Sequence, residues 1–279
     1  MNAPRVSTYC KAGALAMASL GVTSFALAQE ESPHSLTANV AATSNYFFRG
    51  ISQTNNGPAL QLGVDYVYKP LNLYAGVWAS NVDGSKARGY YYVDQDGQQV
   101  VVSPGTPDAQ YQMTRAPGYD GSSVEVDLKL GWIPKFDKLG IDIGYQRYWY
   151  PGTRYQPNNT NEYHAGLSYD LWGYATPKFT SYYSDNFYGL GASWYHDLTV
   201  TVPLPYEFTL TGHYGWTRYN NSVNYGGGYS YNDYSVGLSR ELYKGIALAV
   251  AWVDRDQTYL CAPPFQCGSS AVATLSYAF

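Results

Sequence analysis

Charged side chains recur at every second position within apolar segments of this 279-residue chain. The clearest example runs from residue 124 to residue 132, where Glu125, Asp127 and Lys129 alternate with large apolar side chains. A β-strand with this period of two has one polar and one apolar face. Other charged residues on predicted polar faces are Asp65, Asp142, Glu162, Asp170, Lys178, Glu207, Asp233 and Glu241, with Arg49 as a further basic candidate.

Charges on the inner face of a closed sheet must either pair or meet water, because an unpaired charge in a dry core is costly. Lys129 shares one strand face with Glu125 and Asp127, which favours structural pairing. Acidic candidates outnumber basic ones, and an acid-lined, water-filled interior would instead favour cations. Both interpretations stay open at this point.

Aromatic side chains also fall on the predicted inner faces, at Tyr74, Trp78, Tyr148 and Tyr195. Rings with wet polar edges can guide sugars through a channel, whereas packing inside a small barrel or at a membrane interface needs no ligand. We favour packing.

An enzymatic site is not expected. Acyl transfer needs a nucleophile grouped with a base, and no G-x-S-x-G signature accompanies any histidine. His164 and His213 are predicted to point inwards near the outer half of their strands, and His196 to lie near the periplasmic end. Residues 94–97 resemble only part of a calcium loop and lack its terminal Glu. No cofactor or metal is therefore expected.

The N-terminus has the features of an export signal. Arg5 and Lys11 precede a short, alanine-rich apolar stretch that ends in an A-x-A cleavage pattern at residues 26–28. We expect residues 1–28 to be removed and residues 29–279 to form one domain; a retained N-terminal anchor is the alternative. In an exported protein, Cys261 and Cys267 are predicted to form a disulfide, since a zinc site would need further ligands nearby.

Composition narrows the class of protein. Aromatic residues make up 17% of the chain, charged residues only 14%, and the formal charge is −4. The abundant aromatics argue against disorder, and the negative charge without basic runs argues against nucleic-acid binding. No mature stretch reaches the length of a membrane-spanning helix.

Twelve alternating segments predict an antiparallel transmembrane β-barrel with short periplasmic turns and longer outer loops. They begin near Leu36, Ala59, Leu71, Ser122, Leu139, Asn161, Pro177, Phe187, Tyr206, Tyr231, Gly245 and Ser270. The longest outer loop, residues 82–121, contains a predicted hairpin at Asp96-Gly97. That hairpin either extends the barrel wall or folds inwards.

Several blocks of sequence resemble a known family. Asn45 to Gln53, Pro58 to Gln61 and Tyr74 to Val82 are similar to the TorF family of proteobacterial outer-membrane proteins, first described as conserved proteins of unknown function. The closing segment, Ala273 to Phe279, also resembles the tail of bacterial outer-membrane barrels. The resemblance implies a small barrel in the bacterial outer membrane. It does not identify a substrate, and it provides no catalytic residues that could be assigned to this chain.

We therefore expect a porin-like channel for passive diffusion of small polar or ionic solutes, with a preference for cations. A non-conducting structural or surface-binding barrel is the alternative, and a lipid-modifying enzyme comes third. Expected partners are outer-membrane lipid and lipopolysaccharide, small polar solutes and the barrel-assembly machinery, but not nucleic acid. The pore-lining candidates are Asp65, Glu125, Asp127, Lys129, Asp142, Glu162, Asp170, Lys178, Glu207 and Asp233.

Overall fold

Twelve long antiparallel strands dominate the computed structural model, which describes residues 32–83, 90–93, 99–100, 112–115, 122–152, 159–189, 191–219, 230–256 and 267–279. In chain order they are β1 (His34–Thr43), β2 (Ala59–Tyr68), β3 (Leu73–Asn81), β4 (Val124–Trp132), β5 (Leu139–Trp149), β6 (Thr160–Tyr169), β7 (Thr176–Ser184), β8 (Ser193–Pro203), β9 (Phe208–Tyr219), β10 (Ser230–Tyr243), β11 (Ile246–Arg255) and β12 (Ser270–Ala278). Within the described residues, no helix is long and apolar enough to cross a membrane.

Consecutive strands pair with one another, and the first strand pairs with the last. Val40 of β1 lies opposite Tyr277 of β12, and Trp78 of β3 lies opposite Asp127 of β4 across the longest connection. The sheet therefore closes into a ring without free edges. This confirms the predicted twelve-stranded antiparallel barrel.

The two ends of the barrel differ in their connections. We call the end that holds His34 and Ala278 the terminal end, and the opposite end the loop end. At the terminal end the connections are short and include 3-10 turns at Lys69–Leu71 and Pro205–Glu207 and a two-residue strand at Lys135–Phe136. The loop end carries the longer segments, so the predicted asymmetry is present.

The eighth strand begins later than the sequence predicts. The segment near Phe187 forms a 3-10 turn over Phe187–Gly189, in which Tyr188 has a φ of 51°. Both Phe187 and Tyr188 are buried against other aromatic side chains. Packing of these two rings inside the barrel stops the extended conformation, and β8 starts only at Ser193.

The two faces of each strand differ as the alternation predicts. In β4, Leu128 and Leu130 point outwards with 41% and 56% of their surface exposed, while Asp127, which directly precedes Leu128, is fully buried. In β2, Leu60, Leu62 and Val64 form the same exposed apolar row. The barrel thus has an apolar exterior and a polar interior.

Two predictions fall partly on residues that the structure does not describe. A small sheet joins Tyr90–Val93 to Gln99–Val100 and to Gln112–Arg115. The predicted turn at Asp96-Gly97 lies outside the described residues, as does the predicted signal peptide, residues 1–28.

The connection between β1 and β2 folds into the barrel. Residues 44–57, which we call the plug segment, contain a small hairpin in which Phe47–Phe48 pairs with Ile51–Ser52. Arg49 and Gly50 form its two-residue turn with φ values of 48° and 72°. Positive φ at both positions is the requirement of a type I′ turn.

Candidate functional site

The interior of the loop half is packed around its whole circumference. Each of the twelve strands contributes at least one buried inward side chain there: Thr43, Gln61, Ser80, Glu125, Tyr148, Glu162, Ser184, Ser193, Thr217, Tyr231, Arg255 and Val272. The plug segment and the turn Phe187–Gly189 supply the side chains that cover them, including Tyr46, Phe187 and Tyr188. This half of the barrel is closed in the described state.

The interior of the terminal half is more open. Inward side chains such as Thr37, Asp65, Ser168, Thr199 and Ser239 are small or polar and only half-buried. These side chains are therefore partly accessible to solvent on the terminal side of the packed layer.

A row across three strands in this half carries an ion pair. Asp65, Gly76 and Lys129 are in register on β2, β3 and β4. Lys129 reaches over Gly76, and its Nζ lies 2.8 Å from Oδ1 of Asp65. A Cβ atom at Gly76 would collide with both side chains. The glycine is therefore what lets the pair form across the intervening strand.

Asp142 of β5 is the centre of a second cluster. Its Oδ2 accepts a hydrogen bond from Nζ of Lys178 at 2.9 Å, and its Oδ1 lies 3.1 Å from Nε2 of His164. The Tyr74 hydroxyl donates to the same Oδ1 at 3.3 Å. The Tyr74 ring lies across Gly131, where a Cβ atom would be 2.6 Å from the ring. The cluster thus ties together β3, β5, β6 and β7.

His213 of β9 bridges two carboxylates. Its Nδ1 lies 2.9 Å from Oδ2 of Asp197, and its Nε2 lies 2.9 Å from Oδ1 of Asp233. The Tyr195 hydroxyl donates to the same oxygen of Asp233 at 3.3 Å. The three strands β8, β9 and β10 therefore share one hydrogen-bonded network at mid-height.

Arg49 at the tip of the plug segment contacts the barrel wall directly. Its Nη2 donates to both carboxylate oxygens of Glu162, at 2.9 and 2.8 Å. The Tyr148 hydroxyl donates to Oε2 of the same carboxylate at 2.8 Å. Burial alone would lower the pKa of Arg49, but Glu162 raises it above its ordinary value, so the guanidinium stays charged.

Aromatic rings surround the guanidinium of Arg49. Its Cζ lies 4.0 Å from the ring centre of Tyr195, 4.8 Å from that of Phe48 and 4.9 Å from that of Phe187. Such contacts stabilise a cation over the negative face of a ring. One carboxylate and three close rings therefore hold a single buried cation.

Three further contacts hold the plug segment. The Tyr46 hydroxyl donates to Oε1 of Glu125 at 3.3 Å. Burial raises the pKa of Tyr46. The neighbouring Glu125 carboxylate raises this pKa further, so the phenol stays protonated. The backbone N–H of Asp83 donates to the carbonyl of Gln53 at 2.6 Å. Ile51 forms a β-bridge with Cys267, which is disulfide-bonded.

Sequence comparisons place the chain in a family. Residues 27–278 match the family described as "Bacterial protein of unknown function (Gcw_chp)". The chain belongs to the Gcw_chp family. No curated protein shows significant sequence similarity to it.

Two solved structures with a similar fold are porins. The NanC porin has a TM-score of 0.51 and 11% identity, covering 88% of this chain and 99% of that one. The KdgM porin has a TM-score of 0.50 and 7% identity, covering 87% of this chain and 99% of that one. At this identity the similarity establishes a shared barrel fold.

Most predicted pore-lining residues of this Gcw_chp member lie inside the barrel wall. Six of the acids and both lysines point inwards: Asp65, Glu125, Asp127, Asp142, Glu162, Asp233, Lys129 and Lys178. Asp127 and Glu125 are covered by the plug segment and its neighbours, and Gln146 donates to Oδ2 of Asp127 at 3.2 Å. Arg49 also faces the interior.

Asp170 and Glu207 lie in terminal-end turns, not on the inner wall. β6 ends at Tyr169, and the Asp170 carboxylate accepts the backbone N–H of Gly173 at 2.7 Å. β9 begins at Phe208, and Glu207 lies in the preceding turn with a φ of 64°. The apolar alternation continues past both strand ends, so the sequence pattern alone extended the wall too far.

His196 lies near the loop end of β8 and points outwards, so its predicted position near the periplasmic end is wrong. The late start of β8 accounts for the difference. Its Nδ1 lies 2.8 Å from Oγ of Ser181, and its ring stacks on Phe179. A hydrolytic pair also needs a carboxylate to orient the histidine, and none among the described residues contacts His196.

Sequence reasoning missed two inward charges. Asp197 shares the inner face of β8 with Tyr195, but the predicted strand start near Phe187 obscured that alternation. Arg255 is the last residue of β11, and its Cζ lies 3.8 Å from the ring centre of Tyr231. Cys261 lies outside the described residues.

Metal binding has no candidate site in the described part of the chain. None of its His, Cys, Asp and Glu side chains form a group of three or more that could hold a metal ion. The clustered carboxylates contact Lys, Arg, His, Tyr and Gln side chains instead.

Proposed function

We propose that this protein is a porin-like channel of the bacterial outer membrane for passive diffusion of small polar or ionic solutes. The observation that carries the proposal is the closed ring of twelve strands with an apolar exterior and a charged interior. Only closed barrels and helices satisfy their backbone hydrogen bonds within lipid. The resemblance to TorF proteins and the fold shared with porins agree with this role.

The proposed route runs from the terminal half through the packed layer. Half-buried polar side chains line the first part, and the plug segment fills the second. In this proposal the described state is the closed one, and solutes pass when residues 44–57 move away from the wall. Lipopolysaccharide would surround the loop end, and the barrel-assembly machinery would insert the chain.

We propose that the channel favours cations. The carboxylates that face the interior include Asp65, Glu125, Asp127, Asp142, Glu162, Asp197 and Asp233. The inward Lys and Arg side chains among the described residues are Arg49, Lys129, Lys178 and Arg255. The excess of negative charge would attract cations, more strongly at low salt because screening is weaker there.

Planar-bilayer recording of the purified full-length protein tests this proposal. Stepwise conductance and a reversal potential of the sign for cations in a KCl gradient are the expected results. Neutralising Asp65 and Asp197 together, as Asp65→Asn and Asp197→Asn, should move that potential towards zero. A reversal potential for anions would overturn the cation preference.

A second candidate function follows from the packed loop half. A barrel whose interior is filled around its circumference can be a structural or surface-binding protein that conducts nothing. Correctly folded protein without conductance, including variants that loosen residues 44–57, would support this alternative and reject the channel.

A further inference from the structure

We propose that the socket around Arg49 is a binding site for solutes that carry a guanidinium or alkylammonium group. We define the socket by Glu162, Tyr148, Tyr182, Tyr195 and Phe187. In the described state Arg49 of the plug segment occupies it, so the chain supplies its own competitor. This inference rests on the proposed channel function and names a solute class for it.

The wall of the socket is built for a cation without help from the plug segment. Glu162 is 1% exposed, and its carboxylate is oriented by the Tyr148 hydroxyl. The rings of Tyr195, Phe187 and Tyr182 lie 4.0, 4.9 and 5.4 Å from the guanidinium carbon. A buried carboxylate without a cation is costly, so an empty socket would take up a positive group.

The chemistry of the socket discriminates among solutes. A flat guanidinium can donate to the carboxylate while its faces lie against the rings, and alkylammonium groups share the charge but not the shape. A neutral amide of the same shape would leave the carboxylate charge uncompensated. Anions would meet the charge of Glu162 directly and are excluded.

Arg49 itself fits the socket imperfectly. Its backbone has a φ of 48°, which side chains other than glycine adopt at some cost. Its Nη2 donates to both carboxylate oxygens of Glu162, and its buried Nη1 has no hydrogen-bond partner. A free guanidinium could turn so that two nitrogens face two oxygens, the stronger arrangement. A solute can therefore compete with Arg49 for Glu162.

The first experiment measures binding after the competitor is removed. Full-length Arg49→Met, which keeps the apolar stem, is purified in detergent, and its folding is checked by heat-modifiable migration. Calorimetry then compares methylguanidinium with N-methylurea, its neutral isostere. We expect methylguanidinium to bind at least about tenfold more tightly. The matched control, Arg49→Met with Glu162→Gln, should lose this preference.

The second experiment compares two probes on the unaltered protein, and it includes Glu162→Gln only after heat-modifiable migration shows that this variant is folded. Proteoliposomes are assayed for uptake of methylguanidinium and N-methylurea. We expect faster uptake of the cation and a decrease of that advantage in Glu162→Gln.

The outcomes separate the two proposals. Equal binding of both probes to Arg49→Met, or binding that survives Glu162→Gln, overturns the socket. Equal uptake of the two probes by conducting protein also overturns it. If no solute enters with any variant, the channel function fails, while calorimetry still decides whether the cation site exists.

Discussion

Nη2 of Arg49 lies 2.8 Å from Oε2 of Glu162, and this ion pair joins the plug segment to β6 inside the barrel. Only 4% and 1% of the two side chains are exposed. Removing one charge of a buried pair leaves the other uncompensated, at about 3–5 kcal/mol. We therefore expect Glu162→Gln to lower the free energy of unfolding by about that amount, measured by urea unfolding in detergent.

The matched control removes both charges. The double variant Arg49→Met, Glu162→Gln leaves neither charge buried, so it should be more stable than Glu162→Gln alone. If Glu162→Gln and wild type unfold at the same urea concentration, the pair does not stabilise the closed interior.

The loss of folding stability caused by a charge on the outer face should depend on how deep in the membrane the charge lies. Leu128 lies at the middle of β4 and points outwards, whereas Val124 points outwards at its loop end. Leu128→Arg should reduce folding stability by about 2–4 kcal/mol, and Val124→Arg by about 0–1 kcal/mol. Unfolding from lipid vesicles measures both. Equal costs would contradict the placement of β4 across the bilayer.

Replacing an inward glycine should destabilise the barrel where another side chain lies over that glycine. A Cβ atom at Gly144 would be 2.5 Å from the Tyr74 hydroxyl and 2.7 Å from the carbonyl oxygen of Leu130. Because backbone cannot move aside cheaply, Gly144→Ala should cost about 1–3 kcal/mol. A Cβ atom added at Gly212 would have no neighbouring atom within 4 Å, so Gly212→Ala is the control. Thermal unfolding that ranks the two in the opposite order would reject this packing.

We expect Cys261 and Cys267 to form an oxidised pair in the native protein. Mass spectrometry after alkylation, with and without reductant, detects it. The ring is small, so the expected gain in stability is on the order of 2 kcal/mol. Reduction should leave the barrel folded, because its strands pair without that loop. Free thiols in the native protein would show the prediction to be wrong.

The alternation of side chains predicted the barrel well because each strand has one face against apolar surroundings. Leu128 and Asp127 on adjacent positions of β4 illustrate this directly. The same pattern could not locate strand ends, since Asp170 and Glu207 continue it into turns that are held by local hydrogen bonds, such as that from the Gly173 N–H to Asp170. Nor could it predict that residues 44–57 enter the barrel. That outcome depends on Arg49 meeting Glu162 and Phe48 meeting Tyr148, contacts between residues far apart in sequence.

Single-channel recording of wild type and of a plug-replaced variant tests the central claim most directly. In the variant, a flexible Gly-Ser linker of equal length replaces residues 46–54, and heat-modifiable migration shows that the barrel is folded. We predict that wild type conducts in brief or small steps and that the variant conducts continuously, at higher conductance. Folded protein that conducts in neither form would contradict the account, as would a variant with the same current as wild type.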